Sequence, residues 1–136
     1  MKKIIALLLV VVMALSMVAC GGSETKETEA PAASEFKVGA IYINSKNDTA
    51  GYTYAHHNGI TTAMKELGLN VETQLVIVDE VPEDKEQVLA AVDTLVGEGA
   101  NIIFGISFGY IDALEEAANE YTDVIFSHAT GYKSNE

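Results

Sequence analysis

The stretch Asn101-Ile-Ile-Phe-Gly-Ile-Ser107 decides the fold class, because it is short, rich in isoleucine and bounded by turn residues. Such runs are typical of strands that are buried on both faces of a sheet. The stretch Lys37-Val-Gly-Ala-Ile-Tyr-Ile43 has the same character, and residues 71–78 and, with a weaker pattern, 123–128 resemble it. We therefore predict four strands between residues 37 and 128.

Three helical patterns alternate with these strands. The first stops at Gly68, the second opens near Pro82 with Glu83 in its first turn and ends at Gly97 and Gly99, and the third covers about 110–121. Proline and acidic residues favour a helix start, and glycine favours a helix end. The residues that we expect on the buried faces are Ile60, Met64, Leu67, Val88, Val92, Leu95, Val96, Ile111, Leu114, Ala118 and Tyr121.

Strands that alternate with helices imply right-handed crossovers and a parallel sheet covered on both faces. The predicted fold is therefore α/β, with three layers. Ligands on such sheets bind at the carboxyl ends of the strands, which selects residues 44–52, 79–81, 108–110 and 130–135. Three of these four loops combine aromatic rings with hydrogen-bonding groups, which suits a small polar ligand.

The N-terminus has the pattern of a lipoprotein signal. Lys2 and Lys3 precede an apolar run of sixteen residues, 4–19, that closes with Met17-Val18-Ala19-Cys20. The run is short for a transmembrane helix, which needs about twenty apolar residues, so residues 1–19 are predicted to be a removed signal peptide. Cys20, the only cysteine, is then the lipidation site that anchors the protein to the outer face of a bacterial membrane. An ordinary signal peptide with an incidental cysteine is the alternative.

Residues 20–35 are predicted to be a disordered acidic linker, because they contain no large apolar residue before residue 36. Loss of the two signal lysines leaves 6 basic against 20 acidic residues, a net charge of 6 − 20 = −14, with no arginine. Binding to nucleic acid depends on clustered lysine and arginine. The charge therefore excludes a nucleic-acid partner.

Four ordered blocks of the folded region resemble the basic membrane lipoprotein (PnrA-like) family, the nucleoside-receptor type of substrate-binding protein. The resemblance covers nearly all of residues 36–136. The blocks are Lys37-Val-Gly-Ala-Ile-Tyr, Asp48-Thr-Ala-Gly-Tyr-Thr-Tyr-Ala-His56, Ile103-Phe-Gly-Ile-Ser-Phe-Gly-Tyr110 and His128-Ala-Thr-Gly-Tyr132.

The resemblance implies a type I periplasmic-binding-protein fold that closes over a ligand, often a purine nucleoside, and delivers it to the permease of an ABC importer. It implies that Asp48 accepts hydrogen bonds from the ligand and that Tyr52 stacks on it where many relatives have tryptophan. His57 takes a place near the base where relatives have aspartate or an aromatic residue. Phe108, Gly109 and Tyr110 would form the strand-end loop that lines the cleft. A sensor or surface lipoprotein without transport is an open alternative.

The family continues through the rest of this lobe and a whole second lobe, whereas this sequence stops at Glu136. Residues 36–136 are therefore expected to be a truncated N-terminal α/β lobe. We expect such a lobe alone to bind its ligand weakly, because half a cleft cannot enclose it.

Other interpretations of the same residues remain. Asp48 suits a turn or a helix cap. Packing on the sheet is the preferred interpretation for Tyr54 but not for Tyr52, and Phe108 suits the core. His56 and His57 do not form a metal pair, because adjacent helical residues point about 100° apart. We predict no metal and no cofactor.

The strongest rival is an esterase. Gly105-x-Ser107-x-Gly109 matches the nucleophile elbow between a strand and a helix, and Asp123 and His128 follow in hydrolase order. The motif is short, only three strands precede it, and His128 falls in a predicted strand. A binding protein without enzymatic activity is the preferred interpretation.

Overall fold

The computed structural model describes residues 36–134. The predicted signal peptide 1–19, the lipidation site Cys20, the linker 20–35 and residues 135–136 lie outside the described residues. The elements are β1 (Lys37–Tyr42), α1 (Gly51–Glu66), a single-turn α2 (Val71–Gln74), β2 (Leu75–Val78), α3 (Lys85–Gly97), β3 (Ala100–Ile106), a 3₁₀ turn (Phe108–Tyr110), α4 (Ile111–Glu120) and β4 (Ile125–His128).

The four strands form one parallel sheet in the order β2-β1-β3-β4. In the register of the sheet Ile41 lies opposite Val78 on one side and Gly105 on the other, and Gly105 lies opposite His128. The carboxyl ends of all four strands therefore meet at one edge. The prediction of a parallel α/β sheet is confirmed.

Helices cover both faces of the sheet. Alternate residues of β1 point to opposite faces, so Ile41 joins the larger core under α3 and α4, while Ala40 and Tyr42 join a smaller core on the opposite face with Ile60 of α1. The larger core includes Val88, Val92, Leu95, Ile103, Leu114 and Ala117. These residues confirm most of the predicted buried faces of the second and third helices.

The second helix begins later than predicted. Asp84 is its N-cap and accepts a hydrogen bond from the backbone N–H of Gln87 at 3.1 Å. Pro82 and Glu83 therefore precede α3 and belong to the loop that follows β2. This shift frees the Glu83 side chain from the helix.

The prediction of a strand from residue 71 is wrong for residues 71–74, which form the helical turn α2. Asn70 caps the turn by accepting from the backbone N–H of Glu72 at 2.9 Å, and the Gln74 side chain donates to the backbone oxygen of Phe36 at 2.7 Å. The capped turn satisfies backbone groups locally, so only Leu75–Val78 pair with β1.

Three smaller expectations also fail. Leu67 was expected to be buried, but it follows the last turn of α1 as its C-cap and is 75% exposed. The fourth strand begins at Ile125 instead of residue 123, and Ala117 is fully buried while Ala118 is half-buried. No helix between residues 36 and 134 is long and apolar enough to cross a bilayer.

Candidate functional site

The loops that follow β1 and β2 are tied together at the carboxyl edge of the sheet. The backbone N–H of Val81 donates to the backbone oxygen of Tyr42 at 3.0 Å, and the backbone N–H of Lys46 donates to Oδ2 of Asp79 at 2.8 Å. These bonds hold the loop that carries Asp48 against the end of β2. The strand-end edge is thus an ordered surface.

Asp48 lies half-buried in the loop between β1 and α1. Its backbone N–H donates to the Ser45 oxygen at 3.1 Å, which closes a turn. Asp48 does not cap α1, because the N-cap is Ala50 and makes no side-chain capping bond. Within the described part of the chain its carboxylate has no hydrogen-bond partner, so it is available to accept from a ligand.

Tyr52 stands in the first turn of α1 with 39% of its surface exposed. Its ring centroid lies 4.3 Å from that of His56, and its backbone oxygen lies 2.9 Å from the His56 Nδ1. Tyr54 is 40% exposed, so the interpretation that it packs on the sheet is wrong. Thr53, with 1% exposure, occupies the sheet-facing position between the two rings.

His57 is half-buried and faces the sheet. Its Nδ1 lies 3.1 Å from the hydroxyl of Tyr42, and the two rings meet edge to face at 5.8 Å. Burial, and secondarily the charge of Asp79, raise the pKa of Tyr42, which therefore stays protonated and can serve as the donor. His57 thus supports β1, and its Nε2 is the ring nitrogen that a ligand could use.

Phe108 projects from the 3₁₀ turn after β3 with 58% of its surface exposed, so the interpretation that it belongs to the core is wrong. Its ring centroid lies 6.5 Å from that of Tyr132, which is 75% exposed and lies beyond β4. The rings are tilted by 38°. Two exposed aromatic rings therefore stand side by side at the strand ends.

An ion-pair cluster holds the segment that carries Tyr132. Lys133 Nζ lies 2.7 Å from Oδ1 of Asp112 and 2.6 Å from Oε2 of Glu115, both on α4. Hydrogen bonds to these two carboxylates raise the pKa of Lys133, and the bond to Lys133 lowers the pKa of Asp112. Exposed pairs contribute little stability, but these two restrict where Tyr132 can lie.

Gly109 does not offer a free amide to a ligand. Its backbone N–H donates to Oε1 of Glu83 at 2.8 Å, and Ser107 Oγ donates to the same oxygen at 2.5 Å. The bond from Ser107, and secondarily that from Gly109, lower the pKa of the Glu83 carboxyl from its ordinary value. The turn at Ser107 and Gly109 therefore already binds a carboxylate, that of Glu83.

Tyr110 is fully buried, which corrects the expectation that it lines a cleft. Its hydroxyl donates to the backbone oxygen of Val81 at 2.5 Å. Burial, and then the charge of Glu83, raise the pKa of Tyr110. Its ring is therefore an internal support that joins the loops after β2 and β3.

The esterase residues are not assembled into a catalytic geometry. The hydroxyl of Ser107 donates to Glu83 instead of to an imidazole, and both ring nitrogens of His128 lack a hydrogen-bond partner in the described region. A serine nucleophile needs a base within hydrogen-bond reach.

An open depression of about 420 Å³ lies on the α1 face of the sheet. It reaches the end of β4, and its lining includes His56 and Ile60 of α1 with Phe104 and His128 of the sheet. A second depression, of about 310 Å³, lies beside β2 and α3 and shares no lining residue with the loops after β1 and β3. Among residues 36–134 no three His, Cys, Asp or Glu side chains cluster to hold a metal ion.

Two residues of this edge were not identified as site residues from the sequence. Glu83 was assigned to the first turn of a helix, and Tyr132 was quoted only within a motif. The position of Tyr132 in the last strand-end loop is the sequence signal that could have identified it as a site residue. No sequence signal identifies Glu83, because its partner Gly109 lies 26 residues further along the chain.

Comparisons with known proteins agree with this architecture. The profile of a family described as ABC transporter substrate-binding protein, PnrA-like, matches residues 36–136. A purine-binding protein of Brucella abortus is 37% identical over 107 residues, which are 77% of this chain and 29% of that protein. A protein of Haloferax volcanii, named as an ABC transporter glucose-binding protein, is 32% identical over 117 residues, which are 85% of this chain and 28% of that protein. The chain thus spans less than a third of either relative.

Two solved structures share the fold. A solute-binding protein of an ABC transporter system from Conexibacter woesei superposes with a TM-score of 0.54 at 21% identity, over 67% of this chain and 28% of the other. A solute-binding protein of an ABC transporter system from Aeropyrum pernix superposes with a TM-score of 0.59 at 16% identity, over 74% of this chain and 26% of the other.

Proposed function

The chain belongs to the PnrA-like family of ABC transporter substrate-binding proteins, and from that premise we propose that it binds a purine nucleoside or a related small polar ligand. The proposed role is capture outside the cytoplasm and delivery to the permease of an importer. Binding of this kind requires no covalent chemistry, so no catalytic residue is assigned.

The observation that carries the proposal is the composition of the strand-end edge. The exposed ring of Tyr52 stands in the first turn of α1, and that of Phe108 stands in the turn after β3. The carboxylate of Asp48, which has no hydrogen-bond partner among the described residues, lies in the loop just before Tyr52. Flat rings stack on a planar base, and a carboxylate accepts from ribose hydroxyls. His57 Nε2 is proposed as a further contact, whereas the amide of Gly109 and the ring of Tyr110 are already engaged within the protein.

The ligand class rests on the relatives. The Brucella protein is named for purine binding and the Haloferax protein for glucose binding. Rings and carboxylates bind both classes of ligand, because sugars also present hydroxyl donors and apolar faces. The higher identity to the purine-binding protein favours a nucleoside, and a sugar is the second candidate.

We expect purine nucleosides to raise the melting temperature of the complete mature protein. A ligand that binds only the folded state adds about 2.7 kcal/mol of stability at one hundred times its dissociation constant. The measurement is a thermal-shift panel that contains adenosine, guanosine, inosine, uridine, glucose and ribose at matched concentrations.

The panel separates the two ligand classes. A shift with purine nucleosides and not with glucose supports the proposal. A shift with glucose alone would replace the nucleoside by a sugar. The variant Asp48→Asn tests the site, because it keeps the side-chain volume but turns one acceptor into a donor. It should remove most of the shift in melting temperature that a ligand at this site causes.

Attachment to the membrane through Cys20 is part of the same proposal. The support is the run Met17-Val18-Ala19-Cys20 behind an apolar signal. Cells that express the protein with radiolabelled palmitate should label the wild type and fail to label Cys20→Ser. Equal labelling of both proteins would remove Cys20 from this role.

A further inference from the structure

The carboxylate of Glu83 lies on the loop after β2 but binds the loop after β3. One oxygen, Oε1, accepts from Ser107 Oγ at 2.5 Å and from the Gly109 backbone N–H at 2.8 Å. Ser107 is 5% exposed, so this end of the contact is anchored in the sheet. Bonds to an ionised acceptor are roughly twice as strong as bonds between neutral groups.

The close approach of the two loops requires the glycine at position 109. A Cβ atom built there would lie 2.5 Å from Cδ of Glu83 and 2.7 Å from both its Cβ and its Cγ. The Cβ of Glu83 cannot swing aside as the end of a flexible side chain could. Any larger residue at position 109 must therefore displace Glu83 or the turn.

Phe108 lies between the two residues that Glu83 binds. Its ring is exposed and faces Tyr132. We propose that Glu83 is a positioning residue that fixes the turn at Ser107 and Gly109 and thereby directs Phe108 toward the ligand. This inference rests on the proposed function, in which Phe108 is a ligand contact.

Ionisation of Glu83 strengthens the contact. The hydrogen bond from Ser107, and then that from Gly109, lower the pKa of the Glu83 carboxyl from its ordinary value. The stabilisation is therefore present above the unfolded value and is lost as the pH falls through the folded value. The charge of Glu83 acts on Tyr110, while Lys85, which follows Asp84 along the chain, pairs with Glu116 on α4.

The first test needs no ligand. In NMR spectra of the mature protein, the amide proton of Gly109 should shift upfield as acid protonates Glu83, with an apparent pKa lower than that of an unperturbed glutamate. In Glu83→Gln this titration should vanish while the amide stays hydrogen-bonded to the neutral oxygen. A Gly109 amide that titrates identically in wild type and Glu83→Gln would overturn the inference.

The second test measures nucleoside affinity by calorimetry. We expect Glu83→Ala to weaken binding about threefold to tenfold and Glu83→Gln to recover most of that loss, since its side-chain oxygen still accepts both bonds. In the Phe108→Ala background, Glu83→Ala should cause no further loss, because Glu83 acts through Phe108. Equal losses in both backgrounds would show that Glu83 does not position this ring.

Matched variants exclude a general effect on folding. Glu86→Ala removes an exposed acidic residue from the first turn of α3 and should leave both the Gly109 amide and the affinity unchanged. Gly109→Ala should reproduce the affinity loss of Glu83→Ala, whereas Gly97→Ala should not, since a Cβ at Gly97 meets no atom within 4 Å. If the wild type binds no nucleoside, the NMR titration still decides whether the contact exists, so the two proposals fail separately.

Discussion

Replacing Leu95 by alanine is expected to lower the free energy of unfolding by about 2–5 kcal/mol, the cost of a cavity in a packed core. Leu95 is fully buried between α3 and the sheet. Its Cδ1 lies 3.1 Å from the position that a Cβ at Gly39 would occupy, so the strand and the helix approach closely around this side chain. The neighbouring backbone cannot collapse into the space that the substitution leaves.

Leu67→Ala is the matched control, because it makes the same chemical change at a side chain that is 75% exposed. Its effect should stay within about 0.5 kcal/mol. Urea unfolding of both variants, followed by far-UV circular dichroism, measures the difference as a shift of the midpoint at constant slope. Equal destabilisation by the two substitutions would mean that the core does not lie where the structure places it.

Replacing Phe108 by alanine is expected to weaken nucleoside binding by the free energy that one base gains when it stacks on an aromatic ring. Stacking of a base on an aromatic side chain contributes about 1–3 kcal/mol, which is about fivefold to 150-fold in the dissociation constant. Phe108 is 58% exposed at the carboxyl edge of the sheet, so its removal leaves no internal cavity. Calorimetric titration of the complete mature protein with the nucleoside of highest affinity measures the loss.

Phe36→Ala is the control for this second experiment. Phe36 is also a half-exposed phenylalanine, with 39% exposure, but it precedes β1 at the amino edge of the sheet. Its replacement should change the affinity less than twofold, and Phe108→Tyr should retain binding because it keeps a flat ring. Loss of affinity in Phe36→Ala and not in Phe108→Ala would move the ligand to the opposite edge.

The sequence predicted the sheet well where the signal was local. Strands β1 and β3 and helices α3 and α4 lie within a few residues of their predicted positions, because apolar periodicity depends on the residues of each segment alone. The prediction failed at residues 71–74, where the Gln74 side chain reaches Phe36, 38 residues away. It failed at Leu67 because an apolar residue one position past a helix end fits the same pattern as a buried one.

The candidate site was predicted as a location but not as a set of contacts. The strand-end rule placed Asp48, Tyr52 and Phe108 at one edge, and the structure leaves all three accessible there at least in part. The same rule selected Tyr110 and Gly109. The Tyr110 ring is nevertheless buried, with its hydroxyl bonded to the backbone oxygen of Val81, and the Gly109 amide is bonded to Glu83. Position in a loop does not reveal which way a side chain turns.

The alternation of strands and helices, the parallel sheet and the edge that we propose for the ligand follow from the sequence alone, because they depend on local periodicity and on general rules of chain connection. Only the tertiary structure decided that His57 supports Tyr42, that Tyr132 stands beside Phe108 and that Glu83 holds the turn at Gly109. Each of these contacts joins residues on different elements. Their distances are set by how the helices pack on the sheet, and no pattern within a single segment contains that information.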